Sequence, residues 1–294
     1  MNNKPEQHIY NLLDISNKYL KTEVKTILDI GARDLTESIF LSEKYPNAKV
    51  ISFECNPQTL SICKERAINY PNIELIDKAV NDYDGKCFFY PINPTQTKTT
   101  WEDGNPGASS LFVANDNYPF EKYVQDKIEI DCVRVDTILK ERGIDNIDII
   151  WMDLQGAELL ALKSIGDILK NVSIISTETE MTEMYKGQAL FKDIDNFLKD
   201  DSGNLNYICT DPSRHVYRYK DSLGEIQKDI KAQKLTNLLV EGGLTEINTK
   251  RSMDLWTNKD GSQDVEKFLE LEQKALEINL IKNKSKSCNY LMIF

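Results

Sequence analysis

Acidic residues stand at the ends of four apolar runs in this chain: Asp29 in "TILDIG", Glu54 in "KVISFE", Asp77 in "IELID" and Asp153 in "IDIIWMD". Each type could do defined chemistry. Glu54 can accept both hydroxyls of a ribose diol, the geometry used in dinucleotide folds. Asp77 can take an adenine amino proton, and Ala79 beside it would leave room for the ring. Gly31 allows a ligand to approach the backbone, and the helix after it points free N–H groups at that ligand. Asp34 with Glu37 three residues on has capping-box spacing, which sets the helix start there. Ala32 and Arg33 complete the turn, and Arg33 could pair with a ligand carboxylate that those acidic neighbours would repel.

A pyrophosphate would want G-x-G-x-x-G, so that it can rest against the helix. Only Gly31 is present, with Arg33 and Leu35 crowding the turn. An adenosine ligand without phosphate fits better, and S-adenosylmethionine is the obvious one. Methyl transfer from a sulfonium needs the acceptor positioned in line, and an alcohol acceptor also needs a base. The chain has two histidines, His8 in an N-terminal helical run and His215 beyond the last clear core strand, so neither suits. The candidate bases are Asp153, Glu158 and Glu178. Magnesium is an alternative use of those carboxylates, but no histidine or fixed-spacing loop supports it, so no metal is expected. Glu158 in a first helical turn also complements the helix dipole. Ser109 and Ser110 in "GASSLF" could hydrogen-bond cofactor or acceptor, Trp101 and Tyr118 could stack on a sugar face, and Tyr185 and Gln188 in "MYKGQ" could line the acceptor pocket.

Strands and helices must hold these residues together. Apolar spacing predicts a helix over residues 6–20, then a strand at 24–30 and a helix to about 45. A strand follows at 49–54 and a helix from Pro57, with Asn56 as its N-cap; a third strand covers 73–76. Strand alternating with helix implies βαβ units and a doubly wound parallel sheet. "DGKCFFYPI" and "KIEIDCVRV" interrupt it as antiparallel excursions around a loop at 93–119. Alternation resumes with strands "NIDIIWMDL", "NVSIISTE" and "NLNYICT" and helices over 157–170 and 187–200. Beyond Asp211 the chain is polar, with helical segments near 222–240 and 263–281 and an apolar "CNYLMIF" end suited to a last strand.

Composition narrows the function. The net charge of −11 opposes binding to a phosphate backbone or an anionic membrane, so no nucleic acid partner is expected. No run reaches the roughly 18 apolar residues of a membrane span. The N-terminal stretch lacks a basic segment followed by an apolar one, so no signal peptide is expected. Six scattered cysteines without a C-x-x-C pair read as small core residues. A soluble cytoplasmic protein is expected, with a homo-oligomer as one arrangement.

The segments "ILDIGARD", "ISFECNP", "DKAVND", "GASSLF", "VRVDTIL", "IDIIWMDLQGAELLALKSI" and "TETEMTEMYKGQALFKDIDNFL" span residues 27 to 198. With them the chain resembles the FkbM-type S-adenosylmethionine-dependent methyltransferases. The D-x-Q-G-x-E run (Asp153, Gln155, Gly156, Glu158) is the most specific of them. One departure is Leu35, where the family usually carries a glycine. The resemblance implies a class I methyltransferase (Rossmann-like) α/β fold with a mostly parallel seven-stranded sheet. The sequence pattern divides the chain into an N-terminal helix packed on the core (1–23), a cofactor-binding core (24–211) and a helical insert or extension ending in a last strand (212–294); the resemblance does not cover 212–287. The resemblance implies methyl transfer to a hydroxyl of a sugar, glycan or other small acceptor. Asp29, Gly31 and Glu54 would then hold the cofactor, Asp77 and Ala79 the adenine, and Asp153 the methionine portion or the acceptor. Leu35 motivates a second reading, a protein that keeps the fold with weakened catalysis; a nucleotide-dependent oxidoreductase is third.

Overall fold

Five apolar runs become strands buried from both faces, the pattern of a parallel sheet covered by helices. The computed structural model describes residues 5, 7–115, 121–180, 183–200, 205–209, 214–219, 245–246 and 256–257. The chain forms two units, residues 1–203 and 204–294.

In the first unit, α1 (Gln7–Tyr19) buries Ile9, Leu12 and Ile15. It leads to β1 (Thr26–Ile30), in which all five residues are buried. Helix α2 (Thr36–Lys44), β2 (Lys49–Phe53), α3 (Leu60–Ala67) and β3 (Ile73–Ile76) follow. Then come β4 (Ala79–Val80), β5 (Gly85–Phe89) and β6 (Ile128–Val133). The unit closes with α4 (Val135–Glu141), β7 (Ile147–Met152), α5 (Glu158–Ile165), β8 (Val172–Glu178) and α6 (Phe191–Asp200).

The main sheet of this unit is an α/β sheet of five parallel strands in the order β3-β2-β1-β7-β8, not the expected seven. From β1 the chain winds outward through β2 and β3, then returns to β1's other side with β7 and β8. The switch point therefore lies between β1 and β7, where open α/β sheets bind ligands. Strands β5 and β6 are antiparallel, as expected, and join β4 in a separate three-stranded sheet. Their long connection carries the "GASS" segment.

The second unit holds β9 (Leu205–Cys209), expected as a parallel core strand, paired antiparallel with β10 (Arg214–Tyr219). Sequence pattern gave no sheet signal at β10. The expected helices near 222–240 and 263–281 and the "CNYLMIF" strand lie outside the described residues. Two short strands, Thr245–Glu246 and Trp256–Thr257, also pair antiparallel.

Two helix starts differ from expectation. Helix α3 begins at Leu60 rather than Pro57, because Asn56 closes a turn first: its carbonyl accepts the Thr59 and Leu60 N–H groups, and its side chain accepts Gln58 N–H at 3.0 Å. Helix α2 has Leu35 at its N-cap position without a side-chain cap; Asp34 instead accepts Thr36 N–H at 3.1 Å and pairs with Arg66 at 2.9 Å. Among the described residues no helix is long and apolar enough to cross a membrane. Cys55, Cys63, Cys87 and Cys132 are free thiols.

Candidate active site

Register aligns the carboxyl ends of the strands. Ile30 lies opposite Phe53 on one side and Met152 on the other. Phe53 lies opposite Ile76, and Met152 opposite Thr177. The next residue on each strand is Gly31, Glu54, Asp153, Asp77 and Glu178, so five predicted residues form one row along the sheet edge. Strands sit roughly 4.8 Å apart, so the three central members can share one ligand and the outer two stand farther off.

A cleft of about 580 Å³, open to solvent, occupies the centre of that row and is lined by Gly31, Arg33, Glu54, Ala79 and Asp153. Phe53, Val80, Phe89 and Leu111 supply apolar wall, and Lys78 reaches its rim. Asp77 does not line it; that carboxylate is half-exposed and pairs with Lys64 at 3.0 Å. Ala32 turns away to pack with Leu35 and Cys63. Asp29 lies fully buried below, accepting the Ser38 hydroxyl, which in turn lies 2.7 Å from the Ser52 hydroxyl.

The first turn depends on Gly31. Its φ is +94°, and a Cβ there would stand 1.9 Å from the Asp153 carbonyl oxygen. Arg33 and Leu35 also take left-handed conformations, with φ of 48° and 65°. For a leucine this costs on the order of 1–2 kcal/mol. Leu35 is fully buried against Ala32, Cys63, Ile39, Ala67 and Leu75, and that burial returns a comparable amount. The departure at Leu35 is thus a packing solution that leaves the cleft open.

Glu54 accepts the Cys55 and Asn56 N–H groups at 2.9 and 2.6 Å. Burial nonetheless pushes its carboxyl up to about 7, and these hydrogen bonds only partly oppose the shift. Arg33 extends over the rim, 3.2 Å from Asp103 and with its guanidinium 5.1 Å from the Trp101 ring centre. Trp101 itself is half-exposed. Tyr118 lies outside the described residues.

The "GASS" segment roofs the cleft. Asn56 donates to the Pro106 carbonyl and the Ser109 hydroxyl, both at 3.2 Å. Ser109 donates to Pro106 O at 2.7 Å and accepts Ile92 N–H at 3.0 Å. That hydroxyl's one donor and two acceptor sites are all used inside the protein, so Ser109 builds the roof rather than binding a ligand. Ser110 donates to the Gln155 carbonyl at 2.7 Å and accepts Phe112 N–H at 3.0 Å.

The D-x-Q-G-x-E turn closes the other side. Glu158 does not reach the cleft: its buried carboxylate accepts the N–H groups of Leu154 at 2.8 Å and Gly156 at 3.3 Å. Burial raises it to about 7, with the Asp153 charge adding to the shift. Gln155, whose φ is +52°, donates its amide to Asp153 at 2.7 Å and to Glu178 at 3.2 Å. The Tyr185 hydroxyl lies 3.0 Å from the Gln155 side-chain Oε1 and 2.8 Å from the Ala108 backbone carbonyl oxygen, so Tyr185 is a strut rather than a pocket wall. Gln188 is likewise internal, accepting the N–H groups of Met184 and Tyr185 at 2.6 and 2.5 Å. Sequence reasoning assigned no site role to Asn56 or Gln155. Gln155's place inside the most specific motif is the available signal, whereas the sequence around Asn56 signals only a helix cap.

The chain is 28% identical over 164 residues to 2-O-methyltransferase NoeI of Sinorhizobium fredii, covering 55% of this chain and 66% of that protein. It is 24% identical over 198 residues to methyltransferase sdnD of Sordaria araneosa, covering 58% of this chain and 71% of that protein. Among solved structures it is similar to an rRNA methylase from Streptococcus thermophilus, at 13% identity over 74% of this chain and 99% of that one, with a TM-score of 0.41. The methyltransferase FkbM domain matches residues 29–219, and the chain belongs to that family.

Proposed function

We propose that this protein is an S-adenosylmethionine-dependent O-methyltransferase acting on a hydroxyl of a sugar, glycan or related small acceptor in the cytoplasm. The observation that carries the reading is the alignment of Gly31, Glu54 and Asp153 around one cleft at the sheet's switch point. The donor set suits the methyl donor. Glu54 offers carboxylate oxygens to ribose hydroxyls, Ala79, Val80 and Leu111 offer an apolar wall to a base, and the close approach at Gly31 leaves little room for a pyrophosphate. S-adenosylmethionine, when bound, supplies an electrophilic methyl on a positively charged sulfur. Gly31 and Glu54 would hold it, and it would supply that methyl to an acceptor oxygen. In this reading Asp153 takes the hydroxyl proton, and Arg33 at the rim meets a carboxylate. NoeI is a 2-O-methyltransferase, which supports an oxygen acceptor.

Calorimetry with S-adenosylhomocysteine and with NAD tests the first half: the former binds and the latter does not. Absence of S-adenosylhomocysteine binding at millimolar concentration rejects the reading. Labelled methyl transfer to a panel of nucleotide sugars and methyl glycosides tests the second half. Size-exclusion chromatography reads whether the protein forms a homo-oligomer.

A further inference from the structure

Asp153 reaches the cleft, and the group that governs it, Gln155, lines the same cleft beside it. Gln155 stands between two carboxylates and a tyrosine. Its amide donates one hydrogen to Asp153 Oδ1 at 2.7 Å and the other to Glu178 Oε2 at 3.2 Å. With two anionic acceptors on one side, the carbonyl end must face the other way, toward the Tyr185 hydroxyl at 3.0 Å. Its backbone carbonyl holds the Ser110 hydroxyl of the cleft roof at 2.7 Å. Tyr185 is 3% exposed and also contacts the roof through Ala108, so the tyrosine end of the assembly is buried, while Asp153, Gln155 and Glu178 are half-buried. Gln155 adopts a left-handed backbone, φ +52°, that few residues other than glycine and asparagine take readily, and it does so between Asp153 and Gly156.

We propose that Gln155 is a positioning residue: its carboxamide, braced by Tyr185, holds the Asp153 and Glu178 carboxylates together and turns Asp153 toward the acceptor hydroxyl. The proposal rests on the methyltransferase reading above. Its physical basis is simple. Two carboxylates at one site repel, and one amide donating to both draws them together. Arg33 and Lys78 line the same cleft as Asp153, while the groups behind the pair add negative charge or low polarity. Glu158 lies beneath the 153–156 turn, and Glu180 beyond β8 is raised by burial and by the Asp153 charge. Tyr185 is pushed well above its ordinary value by burial and by Tyr123, Asp153, Glu178 and Glu158 around it. In these surroundings the Gln155 amide is the donor that both carboxylates share.

The test titrates carboxyl carbons by NMR in the full-length protein labelled at Asp and Glu. Asp153→Asn and Glu178→Gln identify the two resonances. Gln155→Glu keeps the shape and removes the shared donor. Gln155→Asn suits the left-handed backbone and is one methylene short, so it holds the fold if the glutamate variant does not. In both variants the coupled titration of the pair moves to higher pH by about one unit or more, and the acidic limb of kcat moves with it. Tyr185→Phe moves both by a smaller amount in the same direction. S-adenosylhomocysteine affinity stays within about threefold, because the ribose end of the cleft is untouched. A folded Gln155→Asn protein whose carboxyl titration matches the parent overturns the proposal. Failure of the parent to bind S-adenosylhomocysteine instead rejects the methyltransferase reading and leaves the titration result standing on its own.

Discussion

The two turns that meet at the switch point solve the same backbone problem by different means. After β1, residues 31–35 must leave the sheet and enter α2; after β7, residues 153–157 must enter α5. Each turn carries a positive-φ glycine and at least one left-handed non-glycine residue: Gly31 with Arg33 and Leu35, and Gly156 with Gln155. The first is held by apolar burial, with Leu35 packed against Ala32 and Cys63. The second is held by hydrogen bonds to a buried carboxyl, with Glu158 collecting the N–H groups of Leu154 and Gly156. An apolar brace is indifferent to pH, whereas a buried carboxylate is not. The brace of the first turn should therefore be constant with pH, and the brace of the second should respond to protons.

The largest effect is expected where the turns touch. Gly31→Ala places a Cβ 1.9 Å from the Asp153 carbonyl oxygen in a backbone conformation that alanine disfavours. Both turns must move, and a loss of roughly 4 kcal/mol or more follows, among the largest of single substitutions. Thermal melting reads it as a drop well beyond 10 °C or as failure to fold.

Next comes the polar brace. Glu158→Ala removes the acceptor of two buried N–H groups and costs roughly 2–4 kcal/mol. Glu158→Gln keeps an acceptor and separates charge from shape. The folded carboxyl sits at about 7 against an ordinary value of 4.5. Its folded pKa is raised, so its stabilising contribution is complete below pH 4.5 and is lost as pH rises through 7. Stability of the parent relative to Glu158→Gln should fall across pH 5 to 8, by up to roughly 3 kcal/mol. Glu54 carries a shift of the same sign, so the parent's overall pH slope shrinks in the variant without vanishing. Denaturant midpoints at several pH values check this, and parallel curves for the two proteins would contradict the polar-brace account.

The apolar brace should show no such slope. Leu35→Ala empties a fully buried position and costs roughly 2–4 kcal/mol at every pH. Leu35→Gly loses the same contacts but relieves the left-handed backbone. It should be no less stable than Leu35→Ala, against the ordinary order in which glycine is worse by about 1 kcal/mol. Urea unfolding of both variants at pH 6 and pH 8 decides the point.

The contrast also explains what could be read in advance. All five parallel strands were legible because strands covered on both faces are written as short apolar runs, such as "TILDI" and "IDIIWM". Gly31, Glu54 and Asp153 were legible because each directly follows such a run. The roles of Ser109, Tyr185 and Gln188 were not. Ser110 meets Gln155 45 positions along the chain, and Tyr185 meets Ala108 77 positions away, so only the fold reveals that such side chains serve one another. Leu35 misled for a similar reason. Local preference asks for glycine there, and the compensating partners Cys63 and Leu75 come from α3 and β3. The row of strand ends also overstated the cleft, since register alone includes Asp77, while the walls admit only the central strands.

The smallest effect belongs to the rim, where the first turn meets the loop above it. Arg33 and Asp103 are 35% and 41% exposed at their side chains, and a pair so hydrated contributes roughly 0–1 kcal/mol. The contact with Trp101 adds a similarly small amount at an exposed site. Arg33→Ala should therefore leave the melting temperature within about 2 °C, whereas Gly31→Ala two residues away should not. What Arg33 can alter is the cleft it lines. If it meets a ligand carboxylate, its loss should weaken S-adenosylhomocysteine binding at low salt, and the deficit should narrow as salt screens the parent protein's advantage. Equal affinities for parent and variant at low salt would confine Arg33 to holding Trp101 and Asp103 at the rim. The first turn would then recognise its ligand through backbone alone, sharpening its contrast with the carboxylate-rich turn across the cleft.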